Sequence, residues 1–554
     1  MIRARVLVSG DPISLAHGAE AIKMALEAEL VYYGLEKEVQ VSMSGQLGRR
    51  DILPCVVVYP EGTLYGPLRV EEVPYLVEEH LYKGRIAESL LAPADVLSGQ
   101  LARLPRREGV LYGQQRVVLR RAGLIDPNSI EEYIAQDGYF ALAKAVTEMT
   151  PADVLQAVKD SGLQGRGGAG FPTGMKWQFV VNQPEKKRYI VCNADESEPG
   201  TFKDRLILEG DPHAVLEGMA LAGYAVGADE GWIYIRGEYT LAKERLERAI
   251  QQAEELGVLG DNLFESGFSF HIHVHAGAGA YVCGEETALL ESLEGKRGIP
   301  RIRPPYPPVR GYHGKPTVVN NVETLANVPA IVRNGAAWYR SLGTVKSPGT
   351  KVYTMLGDVN ITGLIEVPMG ITLREVIEVY GGGMKDGRIF KCAQTGGAAG
   401  SIIPPALLDV PMDYATMQQN GASLGSGALM ICGEDKCIVD LAYVLMRFFV
   451  TESCGKCVPC RLGTKRMLEI LERLRQGQGT QEDLETLERL APQVIATSFC
   501  GLGQGAPVSI ITALRHFRAE FEAHVAGSCP AGVCPMHGPA KEAPVSHAYL
   551  GFAH

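Results

Sequence analysis

Cys454, Cys457 and Cys460 stand in the run Glu452-Ser453-Cys454-Gly455-Lys456-Cys457-Val458-Pro459-Cys460-Arg461, and Cys500 follows in Ser498-Phe499-Cys500-Gly501. Thiolates are the ligands that iron–sulfur clusters need. A Cys-x2-Cys-x2-Cys run holds three corners of a [4Fe-4S] cube and leaves the fourth to a remote cysteine. A tetrahedral zinc site would normally use two Cys-x2-Cys pairs instead. The pattern predicts a [4Fe-4S] cluster on Cys454, Cys457, Cys460 and Cys500. A second group lies close by: His524, Cys529 and Cys534, with Cys437 ahead of them. Three thiolates and one imidazole would complete a structural Zn²⁺ shell. Free thiols or a docking tail are the alternatives.

A different chemistry is written into Ser161–Trp177, which holds five glycines between Gly162 and Gly170, the cations Arg166 and Lys176, and the aromatics Phe171 and Trp177. Glycines this dense let backbone approach a ligand closely, and successive free N–H groups form a nest for anions. The cations add charge for a phosphate and the aromatics a surface for a flat ring. A merely flexible loop needs neither. Downstream, the apolar run Tyr189–Asn193 delivers Asn193-Ala194-Asp195-Glu196-Ser197-Glu198-Pro199-Gly200, a polar loop at a strand's carboxyl end, where α/β folds place ligands. Gly284-Glu285-Glu286-Thr287 opens a helix, and Asn320-Asn321 ends the run begun by Val318-Val319. His273 and His275 alternate on a strand and read as structural.

Positioning these groups takes several units, as expected for 554 residues. Residues 1–90 alternate as β-α-β-β-α, 91–115 form a linker, and 116–340 form an α/β domain of Rossmann-like type that carries the glycine loop. Residues 341–430 resemble a β-grasp-like (SLBB) unit. Residues 431–525 are a helical bundle turned by Gly477-Gln478-Gly479, and 526–554 a cysteine-containing tail whose end lies outside the fold. Hydrophobic content of 46% and charged content of 21% suit a globular chain. A net charge of -10 argues against nucleic-acid binding. With no leader and no long apolar run, a cytoplasmic protein without a membrane span is expected.

The first unit resembles the thioredoxin-like ferredoxin module, most closely in Val-Val-Val-Tyr-Pro-Glu-Gly (56–62) and Tyr65-Gly66. That module holds a [2Fe-2S] cluster on four cysteines. This chain has Ser9, Ser14, Gln46 and Arg50 at the matching places, so the fold is expected without the cluster, and Cys55 alone cannot restore it.

Taken in order, Gly165-Arg166-Gly167-Gly168-Ala169-Gly170-Phe171, Asn193-Ala194-Asp195-Glu196, Cys283-Gly284-Glu285-Glu286-Thr287, Asn320-Asn321 and the Cys454 motif resemble the NADH-binding flavoprotein subunit of complex I. The same order is similar to the diaphorase subunits of NAD-linked or electron-bifurcating hydrogenases and formate dehydrogenases. The resemblance implies FMN in the glycine loop with NAD(H) stacked on it. By position, Gly165, Arg166, Gly167 and Lys176 would serve the phosphate and ribityl chain. Asn193, Asp195, Glu196, Tyr281, Gly284, Glu285, Asn320, Asn321 and Thr324 would surround the flavin. Phe171, Phe179 and Tyr306 would sandwich the adenine, while Glu198 and Glu286 would hold ribose hydroxyls or the carboxamide. Carboxylates there would repel a 2′-phosphate and favour NAD over NADP. Gln164 stands where relatives usually carry Arg, and Arg303 and Tyr306 replace the more usual Lys and Phe.

The function so implied is an NADH dehydrogenase (diaphorase) subunit with FMN, NAD(H) and one [4Fe-4S] cluster, to which the spacing of Cys437, His524, Cys529 and Cys534 adds zinc as one of its readings. Its expected partners are a small [2Fe-2S] thioredoxin-like subunit and further Fe-S or catalytic subunits. The chain ends at His554, so the ferredoxin domain that follows a similar Cys-Pro-Ala-Gly-Val-Cys in hydrogenase-type relatives is expected to be missing. Alternatives are a flavin-based bifurcating subunit and, in another class, a catalytically silent scaffold.

Overall fold

Alternating apolar residues in the first strand, β1 (Ala4–Ser9), pack it at the centre of a four-stranded sheet. It runs parallel to β2 (Val39–Ser44) and antiparallel to β3 (Val56–Tyr59), and β3 pairs antiparallel with β4 (Thr63–Tyr65). The helix Ala19–Tyr32 buries Ile22, Leu26 and Leu30, spaced four apart on one face, against this sheet. The computed structural model describes residues 2–45, 52–92 and 114–537. Two of the four positions where the ferredoxin module carries cysteine are engaged hydroxyls. Ser9 Oγ accepts from the Cys55 N–H at 2.9 Å, and Ser14 Oγ donates to Asp11 at 2.6 Å. Gln46, Arg50 and most of the linker lie outside the described residues.

This first unit packs on the next. Arg245 donates to the Gly10 carbonyl at 3.0 Å, and a Cβ on Gly45 would stand 2.8 Å from the Gly210 Cα.

The central sheet is wholly parallel, in the order β7 (His271–Ala276), β6 (Glu230–Ile235), β5 (Tyr189–Ala194), β8 (Thr317–Asn321). The chain lays β5, steps outward through β6 to β7, then returns to lay β8 on the other side of β5. Strand order therefore reverses between β5 and β8, and crossovers leaving in opposite directions open a crevice at their carboxyl ends. The helices Pro212–Val226 and Val322–Asn334 pack together over the sheet, and Gly218 lets them close: a Cβ there would meet the Leu325 carbonyl oxygen at 2.2 Å. His273 and His275 lie on the edge strand against Trp232 and Tyr234.

A second sheet follows in the order β10 (Gly363–Pro368), β9 (Thr350–Gly357), β13 (Ala428–Gly433), β11 (Phe390–Thr395), β12 (Ser401–Ile403); β9 and β13 are parallel and the other pairs antiparallel. Strand β13 of this sheet runs across residue 430, the expected limit of the unit. The remainder is helical: Ile438–Glu452, Thr464–Arg475, Gln481–Thr497 and Val508–Val525, with the expected turn at Gly477, whose φ is +71°. Met467, Ile470, Leu471 and Leu474 line the inner face. The chain is thus a mixed α/β protein, with three sheets among the described residues and a helical C-terminal region. Among the described residues no helix is long and apolar enough to cross a membrane.

Candidate functional site

The glycine loop hangs over the β5–β8 crevice. The helix Pro151–Ser161, N-capped by Thr150 and ended by Gly162 at φ +69°, leads into it, and the helix Thr173–Val181 leads out. Its base is pinned by Gly165 N–H to Phe171 O at 2.9 Å, Thr173 N–H to Leu163 O at 2.9 Å, and Tyr414 OH to Gly165 O at 2.9 Å. Gly167 is glycine because of proximity: a Cβ would stand 3.1 Å from Asn321 Cβ. Thr324 Oγ1 accepts from the Arg166 N–H at 2.8 Å.

The Arg166 side chain turns away from the crevice. Fully buried, its guanidinium donates to the carbonyls of Gln164 (3.1 Å), Pro348 (2.8 Å) and Thr350 (3.0 Å), and to Tyr339 OH (3.2 Å). It joins the loop to the second sheet, so the side chain expected to add charge for an anion is engaged chiefly with carbonyls of its own loop and of that sheet's approach. Behind it, Lys203 and Lys351 approach the fully buried Glu323 at 2.9 and 3.8 Å, with Asp204 2.7 Å from Lys203. Burial pushes the Lys351 amine down to about 7. These groups are far apart in sequence and leave no local signal, so sequence reading passes over them.

Glu196 caps a helix. Its carboxylate accepts from the N–H groups of Asp204 (2.9 Å) and Arg205 (3.0 Å) at the start of the helix Lys203–Gly210, and from Tyr239 OH at 3.2 Å. Desolvation raises it to about 8. Neighbouring Asp195 behaves differently. One oxygen accepts from Ser197 Oγ at 2.7 Å, while Oδ2 is buried without a partner, and burial raises the carboxyl to about 7. A buried acceptor left open costs stability unless a donor reaches it.

The other crevice residues converge. Asn193 Nδ2 donates to Gly284 O at 2.9 Å, tying β5 to the loop before the helix Glu286–Leu293. Glu285 caps that helix, accepting from Thr287 and Ala288 N–H. Asn320 accepts from Trp177 Nε1 at 2.8 Å, and Asn321 donates to Asp204 at 2.5 Å. Glu198 accepts from Tyr281 OH at 2.6 Å and from Ala399 N–H at 3.1 Å; burial raises it to about 7. At the mouth, Lys176 lies 3.2 Å from Glu286, with Arg303 3.7 Å from the same carboxylate. Phe171 and Phe179, both half-exposed, have ring centroids 6.4 Å apart, and Tyr306 is exposed beneath the Arg303 guanidinium. Exposed aromatic rings beside paired charges suit a nucleotide base.

The four cluster cysteines line one small cavity with Pro300, Phe499, Leu502 and Lys456, and no carboxylate. The N–H groups of Leu502 and Gly503 point at the Cys500 sulfur, and Lys456 supplies a cation over Phe499 at 4.2 Å. An all-thiol shell with cationic and N–H neighbours fits an anionic iron–sulfur cluster. Separately, one ligand atom from each of Cys437, His524, Cys529 and Cys534 lies within 4.8 Å of all the others, and every one of these residues is buried. His524 Nε2 is 3.3 Å from Cys437 Sγ and 3.4 Å from Cys534 Sγ, while Nδ1 lies 2.6 Å from Glu520 O. That second contact fixes the tautomer that leaves Nε2 free as a ligand.

Comparison with known proteins gives two family matches: the Nuo51 FMN-binding domain over residues 158–330 and the NADH-ubiquinone oxidoreductase-F iron-sulfur binding region over residues 440–524. NADP-reducing hydrogenase subunit HndC of Solidesulfovibrio fructosivorans is 52% identical over 422 residues, 76% of this chain and 86% of that protein. The F 2 subunit of NADH-quinone oxidoreductase of Rhizobium meliloti (strain 1021) is 49% identical over 421 residues, 76% of this chain and 99% of that protein. Among solved structures, an NAD+-reducing [NiFe]-hydrogenase in the H2-reduced state superposes with a TM-score of 0.67 at 32% identity, covering 94% of this chain and 84% of that one.

Proposed function

This chain belongs to the family of the F-type subunits of NADH-quinone oxidoreductase and their hydrogenase counterparts, and on that premise we propose that it is the NAD(H)-oxidising flavoprotein subunit of a multi-subunit oxidoreductase. It is an NADH:acceptor oxidoreductase that carries FMN and a [4Fe-4S] cluster. When bound, FMN supplies the exchange between two-electron transfer with NAD(H) and one-electron transfer to a cluster.

The observation that carries the reading is the convergence of Gly167, Asn193 and Asn321 at the β5–β8 crevice beside the open acceptor Asp195 Oδ2. An imide N–H, such as the flavin ring offers, would satisfy that oxygen. The nest N–H groups and Lys176 would hold the anionic chain. Phe171, Phe179 and Tyr306 would stack the adenine of NAD(H), and Glu198 and Glu286 would accept from ribose hydroxyls. Two carboxylates would oppose a 2′-phosphate, which favours NAD(H) here although HndC is named as NADP-reducing. Cys454, Cys457, Cys460 and Cys500 would hold the cluster, and Cys437, His524, Cys529 and Cys534 a structural zinc. Arg166 and Glu196 would shape the site without touching the cofactor.

The finer architecture belongs to the same proposal: a thioredoxin-like first domain without its cluster ligands, a Rossmann-like domain over 116–340, a β-grasp-like (SLBB) domain to 430 with β13 completing it, the bundle to 525, and the tail. The complex is cytoplasmic, and a small [2Fe-2S] subunit with further Fe-S or catalytic subunits takes the electrons. Anaerobic purification tests the whole. Expected are about one flavin and roughly four cluster irons per chain, with a flavin band bleached by NADH. A colourless protein indifferent to NADH would sink the reading.

A further inference from the structure

The three asparagines near the carboxyl ends of β5 and β8 are held in different ways. Asn193 Oδ1 accepts from the Asp195 N–H at 3.2 Å, and Asn320 Oδ1 takes the Trp177 indole N–H. Those partners are a nearby peptide and a neutral ring. Asn321 alone of the three is gripped by charged side chains. Its Nδ2 donates to Asp204 Oδ2 at 2.5 Å, and its Oδ1 accepts from Lys203 Nζ at 3.4 Å as well as from the Glu323 N–H at 3.0 Å. Donor meets acceptor at both ends of the amide. Turned over, it would set its NH₂ against an ammonium and a peptide N–H, and its oxygen against a carboxylate. The carboxamide therefore has one orientation.

The grip rests on buried ions. Lys203 and Asp204 open the helix Lys203–Gly210, and Lys203 Nζ lies 2.7 Å from Asp204 and 2.9 Å from Glu323. Lys351, 3.8 Å from Glu323, donates to the Ser426 carbonyl at 2.9 Å and reaches the Arg166 carbonyl of the glycine loop at 3.5 Å. Taking such ions out of water is expensive, and apolar side chains of the same volume often stabilise a core as well or better. What ions supply and apolar groups cannot is direction. The amide they direct borders the loop: a Cβ on Gly167 would stand 3.9 Å from Asn321 Nδ2. Oδ1 is spent on two donors, whereas Nδ2 keeps a second N–H that no described residue accepts. We propose that Lys203 and Asp204 are positioning residues, which fix the Asn321 carboxamide so that it presents an N–H to a hydrogen-bond acceptor of the bound flavin. The proposal rests on the flavoprotein reading. Both side chains are buried, so they act through Asn321, as supports behind a contact residue do.

The test is a double-mutant cycle on FMN affinity, measured by titrating FMN into the flavin-free full-length chain. Asp204→Asn keeps the shape but replaces a fixed acceptor by an amide that can offer either atom, which frees Asn321 to turn. Asp204→Asn and Asn321→Ala are each expected to weaken FMN by about tenfold, and the double variant should lose no more than Asn321→Ala alone. The absorption band and midpoint potential of the bound flavin should shift in Asp204→Asn, and should agree between Asn321→Ala and the double variant. Losses that multiply in the double variant would overturn the proposal, because a residue that only holds the fold weakens binding whether or not Asn321 keeps its amide. Parental affinity in Asp204→Asn would overturn it too. Lys203→Met runs the same cycle from the other end of the amide, so the test survives an Asp204→Asn chain that does not fold; multiplying losses there count equally against the proposal. A parent chain that takes up no FMN would overturn the flavoprotein reading and this proposal with it, whereas multiplying losses in a parent that binds FMN overturn this proposal alone.

Discussion

Asn193 and Asn321 share the last register position of the parallel β5–β8 ladder, and Gly167 lies over them with no room for a side chain beyond a Cβ 3.1 Å from Asn321. Because this contact is at the crevice and not in the core, filling it should cost ligand and not fold. Gly167→Ala is expected to lower flavin affinity by about tenfold or more, roughly 1.4 kcal/mol, with a melting temperature close to the parent's in the flavin-free state. Fluorescence titration of flavin-free protein with FMN measures the first, and calorimetry the second.

Arg166 and Lys176, alike as cations of one loop, should respond oppositely. Arg166 is buried and donates to three carbonyls and a hydroxyl, so Arg166→Ala strands those acceptors and should destabilise by on the order of 3 kcal/mol. Lys176 is partly open and its contact with Glu286 is a modest one, so Lys176→Met should change stability by less than about 1 kcal/mol while weakening flavin or NADH binding. Denaturant melts paired with ligand titrations of both variants separate the roles. A Lys176→Met protein that unfolds as easily as Arg166→Ala would contradict the assignment.

That contrast marks how far the sequence could be read. The order of motifs and the periodicities placed the parallel sheet, the bundle and both cysteine sets, because each is local or carries a fixed spacing. Gly477-Gln478-Gly479 announces a helix break in plain composition, and the structure adds a Thr480–Asp483 capping box where the next helix restarts. What composition hides is direction. Arg166 sits among nest-forming glycines yet points to Thr350, and Glu196 sits in the ligand loop yet caps a helix, because partners supplied by distant segments decide where a side chain turns. The Lys203–Glu323–Lys351 group was illegible for the same reason.

Glu198 gives the pH dependence. An unfolded glutamate titrates near 4.3, and burial raises this one to about 7, so the folded chain binds the proton more tightly. The stability this contributes is complete below the unfolded value and is lost as pH rises through the folded one. Glu198→Gln, which cannot ionise, should therefore gain stability relative to the parent between pH 5 and pH 8, by on the order of 1 kcal/mol. Chemical denaturation of nucleotide-free protein at the two pH values checks it. The KM for NADH should also fall for the parent as pH rises through about 7, as the carboxylate becomes a full acceptor, and this inflection should vanish in the variant.

The two thiol sets should be separable by metal analysis. Cys500 faces the cavity of the Cys454 loop, whereas Cys534 lies 3.4 Å from His524 Nε2 and 3.6 Å from Cys437 at the other end of the bundle. Cys500→Ser removes one thiolate of a four-thiol shell and should lose most of the iron while keeping zinc near one per chain. Cys534→Ser should lose the zinc and keep iron and flavin, at a cost in melting temperature, because Cys437 opens the first bundle helix and His524 closes the last. Elemental analysis with visible spectra of anaerobically purified variants reads both. Iron lost from Cys534→Ser as readily as from Cys500→Ser would mean that the tail thiols serve the cluster cavity and not a zinc ion of their own.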